Sequence, residues 1–351
     1  MQGLFTQSTY VLVYKAPSLD ELEAVLGDFT LLGRTEAPPD GHWAFGGESI
    51  LVAHPGVPEG RVIIDVVDEK WPDEMGDPNQ TPMLFTAWSA GGFGPSVFPG
   101  NLERAGKQAW AWRQASGGVR AHRAFVRLRS TFVTEGAEGP ELPAGYKPAA
   151  ELTLLTELSS VILALQTSLA YFNPNGESVR PEAFVTQALA HQKETGTLPL
   201  DVWTNIRVGR LSDDWVMMDL VGLGQLGLPD IEVCFKTDAY TFEAVDTFIR
   251  DIAAYLVEAG DVVSHGDMVD GPGEISWEVL RAEQGLQAPP RATIRLLPDD
   301  GVTRSRQVLE LQPMAAVVAQ AQAEFASQLK AQEDKKVVFG DISKPEDEGE
   351  G

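Results

Sequence analysis

The apolar-rich stretch "TYVLVYK" near the start of the chain predicts a β-strand. The pattern then changes. In "SLDELEAVLGD" the residues Leu19, Leu22, Val25 and Leu26 share one helical face, and Ser18 followed by Glu21 has the form of a capping box. "ESILVAHP" and "GRVIIDVVDE" predict two further strands joined by a turn rich in Gly and Pro. "HRAFVRLRSTFV" alternates along its length. Phe125, Arg127, Arg129 and Thr131 fall on one face, and Ala124, Val126, Leu128, Ser130 and Phe132 on the other. Two long segments carry the helical period instead. One is "AAELTLLTELSSVILALQTSL", with Leu152, Leu155, Leu158, Ile162 and Leu165 in register. The other is "TFEAVDTFIRDIAAYLVEAGD", which Gly260 stops.

Residues 68–100 are dense in Pro, Gly, Asp and aromatics, which predicts an irregular loop ordered by burial of its rings. "NLERAGKQAWAW" predicts a helix capped by Asn101, and "AYFNPNG" a turn. "RPEAFVTQALAHQKETG" predicts a helix opened near Pro181 and closed by Gly196. "LDVWTNIRVGRL", "DWVMMDLV" and "IEVCF" are three strand-like runs in succession, and "GEISWEVLRAE" and "RATIRLLP" are closing strands. Strands that follow one another without helices, mixed with strand–helix units, predict an α+β fold. Its sheets are expected to be mixed, partly antiparallel and covered by helices. The expected division is an N-terminal α+β region over 1–115, and an α+β region over 116–300 that contains a glycine-rich loop. A C-terminal helix over 301–332, opened by Pro313, and a disordered acidic tail over 333–351 follow.

Charge narrows the partners. The 351 residues carry a net charge of −24, which opposes docking on nucleic acid phosphates or on an anionic membrane, and suits a basic protein partner or none. No basic segment leads into a long apolar core at the N-terminus, and no apolar run approaches the ~18 residues of a spanning helix. A soluble, cytoplasmic protein is the expectation. The single cysteine, Cys234, rules out an internal disulfide and fits a reducing compartment.

"WVMMDLVGLGQLGLPDIEVCF" places Gly222, Gly224 and Gly227 in the spacing of a dinucleotide fingerprint. That fingerprint needs a helix launched from the glycines, with its amides turned to a pyrophosphate. Here Leu228, Pro229 and Asp230 follow, then a strand, and the next helix starts near Thr241. The glycines therefore predict a strand-to-strand connection with tight turns or close backbone approach, and no cofactor is expected. A loop that touches a ligand stays open, so Gly222, Gly224, Gly227, Pro229 and Asp230 are candidate binding residues, together with His122, Arg127 and Arg129. The two strand arginines suit a carboxylate or phosphate, or else the chain's own acids. Asp261, His265, Asp267, Asp270 and Glu274 lie close in sequence but lack the order of a calcium loop, and serve either a cation or a solvated turn. The eight tryptophans suit the core, or the lining of a partner-binding cleft. No residue is assigned as catalytic or as a metal ligand.

"DVWTNIRV", the glycine loop with its flanking strands, and "AVDTFIRDIAAYLVEAGDVVSHGDMVDGP" resemble the bacterial family named domain of unknown function 4261. The upstream blocks "LFTAWSAGGFGPSVFPGNLERAGKQAWAW", "HRAFVRLRSTFV" and "AYFNPNGE" are similar to longer members of that family. The resemblance runs over roughly residues 65–295. It implies a soluble bacterial protein and carries no activity, cofactor or site. Three functions stand open. The first expectation is a non-enzymatic binding or interaction protein of the adaptor or immunity type. The second is a hydrolase or transferase built on Asp219, His122 or the acids near His265. The third is a structural subunit of a larger assembly.

Overall fold

The computed structural model describes residues 5–37, 41–110, 112–132 and 142–300, so the expected C-terminal helix and tail lie outside the described residues. The chain runs through β1 (Gln7–Val13), α1 (Leu19–Val25), β2 (Leu31–Thr35), β3 (Ser49–Ala53), β4 (Arg61–Val67), α2 (Pro82–Ser89), α3 (Asn101–Lys107), α4 (Ala115–Ala121), β5 (Ala124–Thr131), α5 (Pro148–Leu163), β6 (Ser168–Asn173) and β7 (Ser178–Arg180). These strands form one seven-stranded sheet in the order β2-β3-β4-β5-β1-β6-β7, antiparallel throughout. It draws strands from both sides of residue 115. Next come α6 (Glu182–Thr195), α7 (Leu200–Trp203), β8 (Asn205–Arg210), β9 (Trp215–Val221), β10 (Asp230–Lys236), α8 (Phe242–Ala259), β11 (Met268–Gly271), β12 (Ile275–Ala282) and β13 (Thr293–Pro298). The second sheet has the order β11-β12-β13-β10-β9-β8, with β10 and β13 parallel and every other pair antiparallel. The fold is α+β, as the patterning predicts. No helix among the described residues is long and apolar enough to cross a membrane.

The first sheet is covered on both faces, and strand alternation decides which residue meets which layer. Val11 and Val13 of β1 join α1, α5 and α6 in one core, whereas Tyr10 and Leu12 join α2, α3 and the rings of Trp71, Trp88 and Phe93 in another. In α5, Leu152, Leu155, Leu158 and Ile162 are all fully buried, which stabilises the packed helix by roughly 6–12 kcal/mol as an upper estimate. The capping box forms as predicted: the Glu21 amide donates to Ser18 Oγ at 3.2 Å, and the Ser18 amide to Glu21 Oε2 at 2.8 Å.

Four local expectations are corrected. Residues 68–100 contain α2, which Pro82 starts. The cap of α3 is Gly100, and the carboxylate of Asp73 accepts from the Leu102 and Glu103 amides at 3.0 and 2.7 Å. Asn101 instead turns inward and accepts from Trp71 Nε1 at 2.9 Å, because a distant acid already serves the helix end. "AYFNPNG" is mostly strand: Tyr171 and Phe172 are buried in β6, and the turn follows Asn173. Finally, β8 is preceded by the single helical turn α7.

The second sheet has two unlike faces. Ile206, Met218, Leu220, Ile231, Val233, Ile294 and Leu296 pack against α8. The opposite face carries a row of charge, described next.

Candidate functional site

Cross-strand register builds the row. Arg207 pairs with Asp219, Asp219 with Glu232, and Glu232 with Arg295, so charges of both signs cross β8, β9, β10 and β13 at one level. All four side chains are at least about nine-tenths buried. Arg207 Nε donates to Asp219 at 3.2 Å and its Nη1 to Glu177 Oε2 at 3.0 Å. Arg295 Nε donates to Glu232 Oε2 at 3.1 Å. Burial by itself lowers Arg207, but Asp219 and Glu177 outweigh it and hold the guanidinium charged. Burial pushes the Glu232 carboxyl up, against the pull of Arg295. Glu177 comes from the first sheet, in the β6–β7 turn at φ 47°, and also accepts from Arg104 Nε of α3 at 2.8 Å. The charge row therefore clasps the two sheets together.

The glycine loop sits beside this clasp. The chain leaves β9, makes one 3-10 turn over Leu223–Leu226 and enters β10, and the next helix starts at Phe242. Gly222 holds φ 117°, and a Cβ there would lie 2.7 Å from Gly176 Cα and 2.9 Å from the Trp203 carbonyl oxygen. Gly176 is tighter still, since its Cβ would meet that same oxygen at 1.8 Å. Two backbones thus touch where the sheets meet, which only glycine permits. Gln225 locks the contact. Its Nε2 donates to Trp203 O at 3.0 Å and Gly222 O at 2.7 Å, and its Oε1 accepts from Asn173 Nδ2 at 2.8 Å. The Gly222 and Leu223 amides, which a phosphate would need, donate to Asp230 Oδ1 at 2.9 and 2.8 Å.

The remaining candidates lie elsewhere. Arg127 forks onto Asp65 (Nε–Oδ1 3.0 Å, Nη2–Oδ2 2.5 Å) and onto the carbonyls of Trp43 and Ala44 at 2.9 and 3.1 Å. Arg129 donates to Phe45 O at 3.0 Å, and burial together with Arg127 pushes it down to about 10. Thus the arginine face is paired with the chain's own acid and carbonyls. His122 accepts from the Trp71 amide at 3.0 Å through Nε2, its Nδ1 bonds Val119 O, and burial lowers its pKa. The structure brings the five loop residues together and leaves His122, Arg127 and Arg129 outside that group. Near His265, Arg281 pairs with Asp261 at 2.6 Å, and Asp267 accepts from the Ser264 amide at 2.7 Å. Among the described residues no group of three or more His, Cys, Asp or Glu is arranged to hold a metal ion.

Two concave features bear on the site. A groove of about 450 Å³ lies where β8 and β9 meet the start of α8. It is floored by Ile206, Val208 and Met218, flanked by Trp110 and Phe242, and edged by Asp201, Asp246 and Arg250. Trp110 is 64% exposed and Phe242 46% exposed. A smaller cavity of about 240 Å³ lies between Ser96, Phe98, Gly224, Leu228, Asp230 and Arg291. Asp219, His122 and His265 line neither. Periodicity could not single out Trp110 among the tryptophans, nor Arg291 among the arginines. The one sequence signal at Arg291 is the pair of prolines before it in "QAPPRAT".

Residues 219–297, from Asp219 in β9 to Leu297 in β13, match the family model described as Domain of unknown function (DUF4261). This bears out the resemblance over that stretch; the blocks upstream of Asp219 lie outside the match. No curated protein matches the chain, and neither does any solved structure.

Proposed function

We propose that this chain is a non-enzymatic binding protein, of the adaptor or immunity type, that takes a basic segment of a partner protein in the groove beside Trp110 and Phe242. One observation carries the reading: the exposed Trp110 at the edge of an apolar groove. Covering a ring of roughly 250 Å² that is 64% exposed is worth about 4 kcal/mol at about 25 cal/mol per Å². Large aromatic rings are frequent anchors of protein interfaces. The rim supports a basic partner. Asp201, Glu243 and Asp246 stand against the single accessible charge of Arg250, on a chain of net charge −24. Arg250 pairs with Asp201 and, at 2.7 Å, with Asp246, in exposed bridges of a kind worth only about 0–1 kcal/mol, so a partner's cations can take its place.

Tryptophan fluorescence tests this with synthetic amphipathic peptides of matched hydrophobicity, one rich in lysine and one in glutamate. The expected result is saturable binding of the lysine peptide that weakens with salt. Trp110→Ala and Phe242→Ala should each weaken it by about tenfold or more while leaving the melting temperature nearly unchanged. Equal binding of both peptides, or full binding by Trp110→Ala, would sink the proposal.

A further inference from the structure

We infer that the cavity beside Arg291 and Asp230 binds a small uncharged molecule through a planar edge that pairs a hydrogen-bond donor with an acceptor, the edge of a carboxamide or nucleobase. The cavity shares no lining residue with the groove, so the inference does not depend on the function proposed above.

Its polar wall is unfinished. The Arg291 side chain is only 8% exposed, and its guanidinium carbon lies 5.4 Å from the centroid of the Phe98 ring. Its nearest acids stand beyond hydrogen-bond reach: Nη1 is 3.8 Å from Asp230 Oδ2, and Nη2 is 3.6 Å from Glu177 Oε1. Among the described residues, Nε and Nη2 of Arg291 and Oδ2 of Asp230 have no hydrogen-bond partner, although each is buried. Asp230 Oδ1, by contrast, is filled by the two loop amides. Buried donors and a buried acceptor left unmade on two residues that line one small cavity are costly in the fold.

Charge then selects the ligand. Arg104, Arg207, Arg291 and Arg295 meet Glu177, Asp219, Asp230 and Glu232, so the cluster is already balanced. A phosphate or carboxylate would add an uncompensated buried charge, whereas an uncharged edge accepts from Arg291 and donates to Asp230 at no such cost. The remaining walls suit a flat molecule. Phe98, Leu228 and Pro290 are apolar, and the space where Gly224 would carry a Cβ has no atom within 4 Å.

The test uses the full chain and four probes, uracil and acetamide against acetate and inorganic phosphate, read by saturation-transfer NMR and calorimetry. Uracil and acetamide should bind, and the two anions about tenfold or more weakly. Asp230→Asn keeps an oxygen for the Gly222 and Leu223 amides but turns the second acceptor into a donor; it should weaken uracil by about tenfold or more. Ala292→Phe, at an exposed position on the cavity wall, should block uracil without touching the charged groups, and circular dichroism confirms that each variant folds. Tighter binding of phosphate or acetate would overturn the inference. So would the absence of binding by every probe, or unchanged uracil binding in Ala292→Phe.

Discussion

Each sheet buries a cluster of arginines and carboxylates, and the two are finished in opposite ways. In the first sheet, Asp65, Arg127 and Arg129 are sealed by the carbonyls of Trp43, Ala44 and Phe45, which accept the donors that the single carboxylate cannot. Among the described residues of this cluster only Arg129 Nε is left over, and Arg129 lines neither the groove nor the cavity described above. In the second sheet the charges balance, yet Arg291 and Asp230, beside the row, line a cavity and keep bonds unmade. A loop that brings carbonyls to an arginine turns it into structure; an arginine that no carbonyl reaches stays available for chemistry.

The largest expected effect breaks the sealed cluster. Asp65→Ala strands two guanidiniums in the core and should cost about 3–5 kcal/mol, read as a fall in the denaturation midpoint. Next is the seam between the sheets. Gly222→Ala adds a Cβ at φ 117° against backbone on two sides, and should cost about 2–3 kcal/mol by the same measurement.

A third variant contrasts arginine-paired acids with one that has none. Glu151 is 1% exposed, bonds the Thr6 and Tyr146 hydroxyls, and is pushed above the usual carboxylate range by burial. Above the unfolded value of about 4.5 the folded state holds a proton that the unfolded state has released. This contribution is complete below that value and is lost as pH rises through the raised folded value. Unfolding curves of the native chain should therefore weaken with rising pH across that window relative to Glu151→Gln, and parallel curves would refute the assignment. The smallest effect sharpens the comparison directly. Arg291→Met removes two donors that have no partners but also takes a buried cation from beside Asp230 and Glu177, so it should cost less than Asp65→Ala by the same measurement. A loss as large as that of Asp65→Ala would make the two clusters alike.

Much of the frame was legible from patterning, because the apolar run of β1, the alternation in β5 and the three- and four-residue spacing in α5 and α8 reflect surfaces that must be buried. The capping box at Ser18 was legible for the same kind of reason: its donors and acceptors lie three residues apart. The short elements escaped. β2 exposes most of its residues, so it carries no alternation, and the cap of α3 depends on Asp73, far back in the chain. The glycine spacing showed that no helix receives a phosphate there, but not that Gly222 lies against Gly176.

The sequence by itself determined the fold class, the central strands and helices, and the acidic surface, since each follows from local period or summed charge. Only the tertiary structure decided which charges meet. Arg207 reaches Glu177 across 30 positions and Gln7 reaches Gln225 across 218, and whether an arginine finds a carbonyl or faces a cavity is set by such distant neighbours. Pairing energies fall off within a few ångströms, while the separation along the chain that brings two groups together leaves no local pattern to read.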